Sequence, residues 1–196
     1  MMKNRVFCCT LLWVFVLMGC SSDDNEPNDN QHEDYYFHFK EDGVQVSYEY
    51  QPETQVNLTG SILFDSGTNT NIASIAGMEN IFESGTKNRL TIFLSDSDAI
   101  ATSVRYTNVE DEGDVNPNSV FLMGYYDGQG NLYSAALNPG PKALYELATI
   151  SFTEITNTQI SGTFSGTLLW YDVSGGTTEL LDSVVISEGM FSVPRY

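Results

Sequence analysis

The side chains able to do covalent or metal chemistry in this 196-residue chain are few, and their positions exclude more than they offer. Histidine occurs only at His32 and His38. A nucleophilic Ser or Cys needs an imidazole beside it. His32 lies in a polar segment, and His38 alternates with Phe37 and Phe39, which places it on the wet side of a strand. Both are expected to be solvated. The three cysteines are Cys8, Cys9 and Cys20, so the sequence beyond residue 20 holds no thiol for a disulfide, a metal or a nucleophile. With no Cys pair and no His-Glu-x-x-His, zinc is not expected.

Carboxylates are the opposite case: there are 26. Calcium takes oxygen ligands, and Asp127-Gly128-Gln129-Gly130-Asn131 offers two side-chain oxygens and several carbonyls in a tight loop. The same dipeptides build ordinary hairpin turns, and the terminal Glu of a full calcium loop is missing, so a structural turn is the reading adopted. Asp96 with Asp98 is read in the same way, and Glu110-Asp111-Glu112-Gly113-Asp114 as an acidic loop. Glycoside hydrolysis needs two carboxyls facing one bond, a pairing made in space that so many acids leave open. No catalytic residue, metal or cofactor is expected.

The formal charge is −18, and it excludes whole classes of partner. Nucleic acids are bound by neutralising phosphates, which needs the opposite sign. Peripheral adsorption to anionic lipid is disfavoured for the same reason. A soluble domain facing a salty medium fits, as does one that collects cations, and plain solubility is the reading taken.

The elements that position these groups begin with an address. Lys3 and Arg5 precede an apolar run over residues 6–18, interrupted only by Thr10. As a helix that run is roughly 20 Å long, short of a bilayer core of ~30 Å, and it reads as a signal peptide. It ends in Leu17-Met18-Gly19-Cys20, which resembles the lipobox of bacterial lipoproteins. The resemblance implies lipidation of the Cys20 thiol, cleavage after Gly19 and acylation of the new amino terminus. Two or three acyl chains hold a protein where one does not. Loss of Lys3 and Arg5 with the leader leaves six cations against 26 acids, a charge of −20. Ser21-Ser22-Asp23-Asp24-Asn25-Glu26 is similar to the acidic export signal of surface lipoproteins of the Bacteroidota, which implies an outer-membrane anchor and display at the cell surface. Residues 20–34 are expected to form the lipidated Cys and a disordered acidic tether with a reach of roughly 20 Å.

Residues 35–196 are expected to be a single all-β domain. Tyr35, Phe37 and Phe39 share one parity, and Glu41-Asp42-Gly43 supplies a turn. The return strand then puts Val44, Val46, Tyr48 and Tyr50 together. Further strands are predicted over residues 56–64, 89–95, 100–106, 120–126, 132–136, 148–155, 160–171, 180–187 and 190–193, with a turn at Glu188-Gly189. Only residues 73–82 leave room for a short helix. Gly162 and Gly166 fall on the apolar face of their strand, where a missing side chain permits a bend or a neighbour's ring. About ten half-polar strands joined by short turns predict an antiparallel β-sandwich or a flattened β-barrel.

The segments Ile160-Ser161-Gly162-Thr163-Phe164-Ser165-Gly166 and Val185-Ile186-Ser187-Glu188-Gly189-Met190-Phe191 are similar to the endings of uncharacterised lipoproteins of the Flavobacteria. That resemblance implies an all-β domain and brings no functional residues. Most aromatic residues follow the apolar parity of their strands. Tyr36, Phe93, Phe121, Tyr125 and Tyr171 do not, and residues 120–126 are apolar on both faces, either a central strand covered twice or an exposed sticky patch. Asp182-Ser183-Val184 matches a short O-glycosylation pattern of the Bacteroidota.

Taken together, these features predict a lipid-anchored cell-surface protein of the outer membrane whose domain is a non-enzymatic binding module for a glycan, a protein or an envelope component. Such a module predicts an exposed aromatic cluster rimmed by polar groups. The alternatives are an accessory subunit of an outer-membrane complex and a carboxylate-based hydrolase.

Overall fold

The computed structural model describes residues 35–82, 86–109, 113–115, 117, 120–137, 146–172 and 178–196. The leader, Cys20, the tether and Glu110, Asp111 and Glu112 lie outside the described residues. A compact unit spans Glu33–Tyr196.

Within it the chain forms eleven strands: β1 (Tyr36–Glu41), β2 (Val44–Glu49), β3 (Leu58–Asp65), β4 (Thr70–Met78), β5 (Arg89–Asp96), β6 (Arg105–Thr107), β7 (Val120–Tyr126), β8 (Leu132–Ala136), β9 (Ala148–Ile155), β10 (Gln159–Asp172) and β11 (Glu179–Pro194). They lie in one sheet in the order β2-β1-β11-β10-β8-β7-β5-β4-β3, with β9 joined to β10 and β6 to β9. Every pairing of named strands is antiparallel.

Two devices bend this sheet back on itself. The first is a change of partner along β10. Its first half pairs with β9 from Ile160 to Gly166, and its second half meets β8 at Leu169. The second is the far end of β11. Tyr196 donates its amide to the Gly60 carbonyl of β3 at 2.9 Å, and the Arg195 guanidinium donates to the Ile62 carbonyl at 3.1 Å. The nearly closed, flattened barrel that results matches the fold class predicted from periodicity.

The interior is filled by rings. Phe37 and Phe39 on β1 contact Tyr48, Phe164, Phe191 and Tyr125 with centroids 5.2–6.3 Å apart. Close approach of rings and neighbouring backbone depends on glycine. A Cβ on Gly77 of β4 would lie 2.5 Å from the Phe37 ring, and one on Gly162 would lie 2.7 Å from Phe191 and 2.3 Å from the Ser151 carbonyl oxygen. Gly162 and Gly166 each adjoin a register shift in β10.

The turn between β1 and β2 is the two-residue Asp42-Gly43, with φ of 46° and 85°. Positive φ at both positions is what a tight hairpin between twisted strands requires. Other local expectations are corrected. Residues 73–82 hold no helix; Ala73, Ile75 and Gly77 continue the buried side of β4, and apolar residues on the opposite side hide the period of two. Glu188 and Gly189 do not end a strand. They form a bulge inside β11, with Glu188 at φ 51° and Gly189 packed beneath the Phe164 ring. The strand expected over residues 100–106 contracts to β6, because among its first residues only Thr102 makes a bridge, to Phe152. Val44 lies beyond the core and is exposed.

Candidate functional site

The β1 strand ends in a carboxylate that keeps the inward parity of Phe37 and Phe39. Glu41 accepts a hydrogen bond from the hydroxyl of Tyr125 at 2.8 Å. On β11, Asp182 continues the inward parity of Ile186 and Val184, and it accepts from the hydroxyl of Tyr133 at 3.1 Å. The rings join the two pairs into one array. Tyr125 and Tyr133 lie 6.5 Å apart, and Trp170 follows 5.9 Å beyond Tyr133. Tyr125 and Tyr133 are buried, Trp170 and Glu41 are half-buried and Asp182 is exposed, so what reaches water at this end of the barrel is part of the indole beside carboxylate oxygens.

Its electrostatics follow from that crowding. Burial pushes the Tyr133 hydroxyl up to about 12, reinforced by the hydrogen bond to Asp182 and by the charges of Asp182, Asp127 and Glu41. Burial raises Tyr125 further, and its bond to Glu41 adds to the effect. Both phenols therefore remain donors at neutral pH. Tyr48, raised mainly by burial, has its hydroxyl in the interior without a hydrogen-bond partner. The array offers the partly exposed Trp170 ring for stacking and the Glu41 and Asp182 oxygens as acceptors for hydroxyl or ammonium donors.

The Asp127 loop lies beside this array and is occupied with its own geometry. One carboxylate oxygen accepts from the amides of Gln129 and Asn131 at 2.9 and 2.8 Å, and the other from the Asn131 side chain at 2.8 Å. Burial works against the carboxylate, but the bonds from Asn131 and Gln129 outweigh it and hold Asp127 below the ordinary value. Every donor here stabilises the turn. Asp96 accepts from the Asp98 amide at 2.9 Å, and Asp114 accepts from the Arg105 amide at 3.0 Å. Among the described residues no group of three or more His, Cys, Asp or Glu side chains is placed to hold a metal ion.

His38 sits on the outer side of β1, stacked on Tyr36 at 5.1 Å and opposite Met190. Across β11 a shallow cavity of ≈ 450 Å³ is lined by Thr149, Thr163, Phe164, Ser165, Glu188, Gly189 and Met190. Its one carboxylate, Glu188, pairs with Lys40 at 2.7 Å. Ser183 is exposed in mid-strand, and the neighbouring Asp182 is held by Tyr133.

The remaining aromatic expectations divide. Tyr36 is exposed and Tyr171 half-buried, whereas Phe121 and Tyr125 face the core, a correction to their assigned parity. On β7 the buried set is Phe121, Met123 and Tyr125, so Val120 and Leu122 point outward at 37% and 41% exposure. The strand is thus an exposed patch on one face. Glu41 and Asp182 escaped the sequence reading as members of this array. Their signal was an acid on the apolar parity of a strand.

No protein-family model matches the chain, and neither a curated protein nor a solved structure does. What the molecule itself defines is an all-β, nearly closed barrel with an aromatic and carboxylate array at one end. Among the described residues no helix is long and apolar enough to cross a membrane.

Proposed function

We propose that the chain is a lipid-anchored surface protein, held to the outer membrane through Cys20, whose barrel is a non-enzymatic module that binds a glycan at the array of Tyr125, Tyr133, Trp170, Glu41 and Asp182. The observation that carries this reading is the pairing of each carboxylate with a tyrosine hydroxyl beside a solvent-reaching indole. A carboxylate has about four acceptor positions, so one tyrosine donor leaves the rest for sugar hydroxyls. The apolar C–H face of a pyranose stacks on Trp170. Charge selects among glycans: three carboxylates act on Tyr133, so neutral or amino sugars are admitted and acidic ones are repelled.

Cleavage after Gly19 removes Trp13, leaving Trp170 as the sole tryptophan of the mature chain and a built-in reporter. Full mature protein in detergent is titrated with a panel of neutral, amino and uronic oligosaccharides while indole emission is followed. The expected result is a saturable shift with neutral or amino sugars and none with uronic ones. Asp182→Asn should weaken the response about tenfold, equivalent to about 1.4 kcal/mol. Emission indifferent to every sugar, or equal affinity in Asp182→Asn, sinks the proposal.

A further inference from the structure

The acids of this chain are not spread evenly over its sheet. In β3, β4, β5, β7 and β8 the side chains of Leu58, Ile75, Ile92, Met123 and Ala135 fill the core, so the residues between such positions face outward. Strand register assembles those outward residues into rows. One row runs Leu63–Ile72–Ser95–Val120, and the next runs Ser61–Ser74–Phe93–Leu122–Ala136. A third is Thr59–Ala76–Thr91–Gly124–Ser134. Among the described residues of this face the charged side chains are Asp65 and Arg89, at opposite ends. The opposite wall of the barrel differs: its row Glu49–Tyr36–Ser192–Ser161–Glu154 carries an acid at each end, and Lys40 pairs with Glu188 further along the same wall.

We infer that the outer face of β3-β4-β5-β7-β8 pairs with the same face of a second copy of the chain. Charge argues for this occupant. Two copies of a chain at −18 each repel wherever acids meet, and among the described residues this face brings only Asp65, at its edge, into that encounter. Shape agrees, since a two-fold interface uses one patch twice and a regular sheet face is self-complementary. So does size. Five strands at about 4.8 Å and three two-residue steps at about 3.4 Å give roughly 24 × 20 Å, or on the order of 1,000 Å² over both copies, the lower bound of a specific interface. The apolar band Leu63, Ile72, Phe93, Val120 and Leu122 forms its centre. Association of this size and charge is concentration-dependent, and salt strengthens it by screening the repulsion between copies.

Full mature chain in density-matched detergent is followed by sedimentation equilibrium across protein and salt concentration. The expected result is a monomer–dimer equilibrium that tightens at least threefold from low to high salt. Leu122→Glu should weaken it more than tenfold, while Val185→Glu, an equally exposed apolar site on β11, should leave it within twofold. Both positions are outward-facing, and an unchanged melting temperature shows that each variant is folded. A monomer under all conditions, a dimer that survives Leu122→Glu, or one abolished equally by Val185→Glu overturns the inference. So does recovery of the face on a different membrane protein or on lipid vesicles with the chain still monomeric.

Discussion

Two glycines in adjoining parts of the sheet should respond to one added methyl group with opposite sign. A Cβ on Gly162 would sit 2.3 Å from the carbonyl oxygen of Ser151 and 2.7 Å from the ring of Phe191. The carbonyl belongs to the β9 backbone and cannot rotate away; the ring is fully buried and packed against Phe37, Phe152 and Phe164. Overpacking of a filled core costs about 1–3 kcal/mol, and a backbone contact this short belongs at the upper end. A Cβ on Gly124 would meet nothing nearer than Thr91 Oγ1 at 3.5 Å. There the smaller entropy of alanine in the unfolded chain prevails, worth about 0.5–1 kcal/mol. For a domain of this size 1 kcal/mol moves the melting temperature by roughly 2–4 °C. Thermal unfolding by circular dichroism should therefore show Gly162→Ala lowered by about 6–12 °C and Gly124→Ala raised by about 1–4 °C. Equal shifts, or a stabilised Gly162→Ala, would refute the packing on which the whole barrel closure rests.

Other outcomes follow from buried polar groups. Asn57 is fully buried and donates to the carbonyls of Glu49 and Met78 at 2.8 and 3.0 Å while accepting from the Gln51 amide at 3.1 Å. Asn57→Ala leaves these groups unpaired and should cost about 3 kcal/mol in urea unfolding; a loss below about 1 kcal/mol contradicts the assignment. Asp127 is held below its ordinary value in the folded state, so its contribution is present above pH ~4 and is lost as pH falls through the folded value. Acid unfolding of the native chain should accordingly be steeper below pH ~4 than that of Asp127→Asn, and superimposable acid limbs would show that the loop bonds contribute nothing.

The architecture was legible where one face of a strand is apolar and the other is not. Phe37 and Phe39 against His38, and Leu90, Ile92 and Leu94 against Thr91 and Ser95, announce their own orientation. Legibility failed where both faces are apolar. On β7 the sequence Val120-Phe121-Leu122-Met123 offers two equivalent parities, and only packing against β5 and β8 selects Phe121 and Met123 as the buried pair. In β4 the same ambiguity looks like a helix. Asn57 and Asn108 were invisible for another reason. Each bridges segments far apart in the chain, Asn108 through donors to Ala136 and Glu146 and an acceptor for the Ala148 amide. Nothing local marks an asparagine as fully buried. The candidate site was barely legible: Tyr125 alone stood out, as a ring on the less apolar parity of its strand, while Trp170 follows the apolar parity of β10 and the carboxylates Glu41 and Asp182 come from turn-proximal positions on other strands.

That placement separates the array of the proposed binding site from the packing that sets stability. The β10–β11 hairpin is longer than the core it serves. Leu168 and Val184 form its last fully buried pair, and Trp170 opposite Asp182 comes one inward position later, where the strands continue past the packed interior. A register shift between Trp170 and Tyr171 follows at once, and beyond it the pairing carries exposed Leu180 and Glu179. The aromatic core holds the hairpin's root, so its tip can present an indole and a carboxylate with their backbone already fixed. Preorganised side chains lose less entropy on meeting a ligand. Changes at Trp170 or Asp182 should therefore register in affinity, whereas changes at Gly162 or Asn57 register in folding.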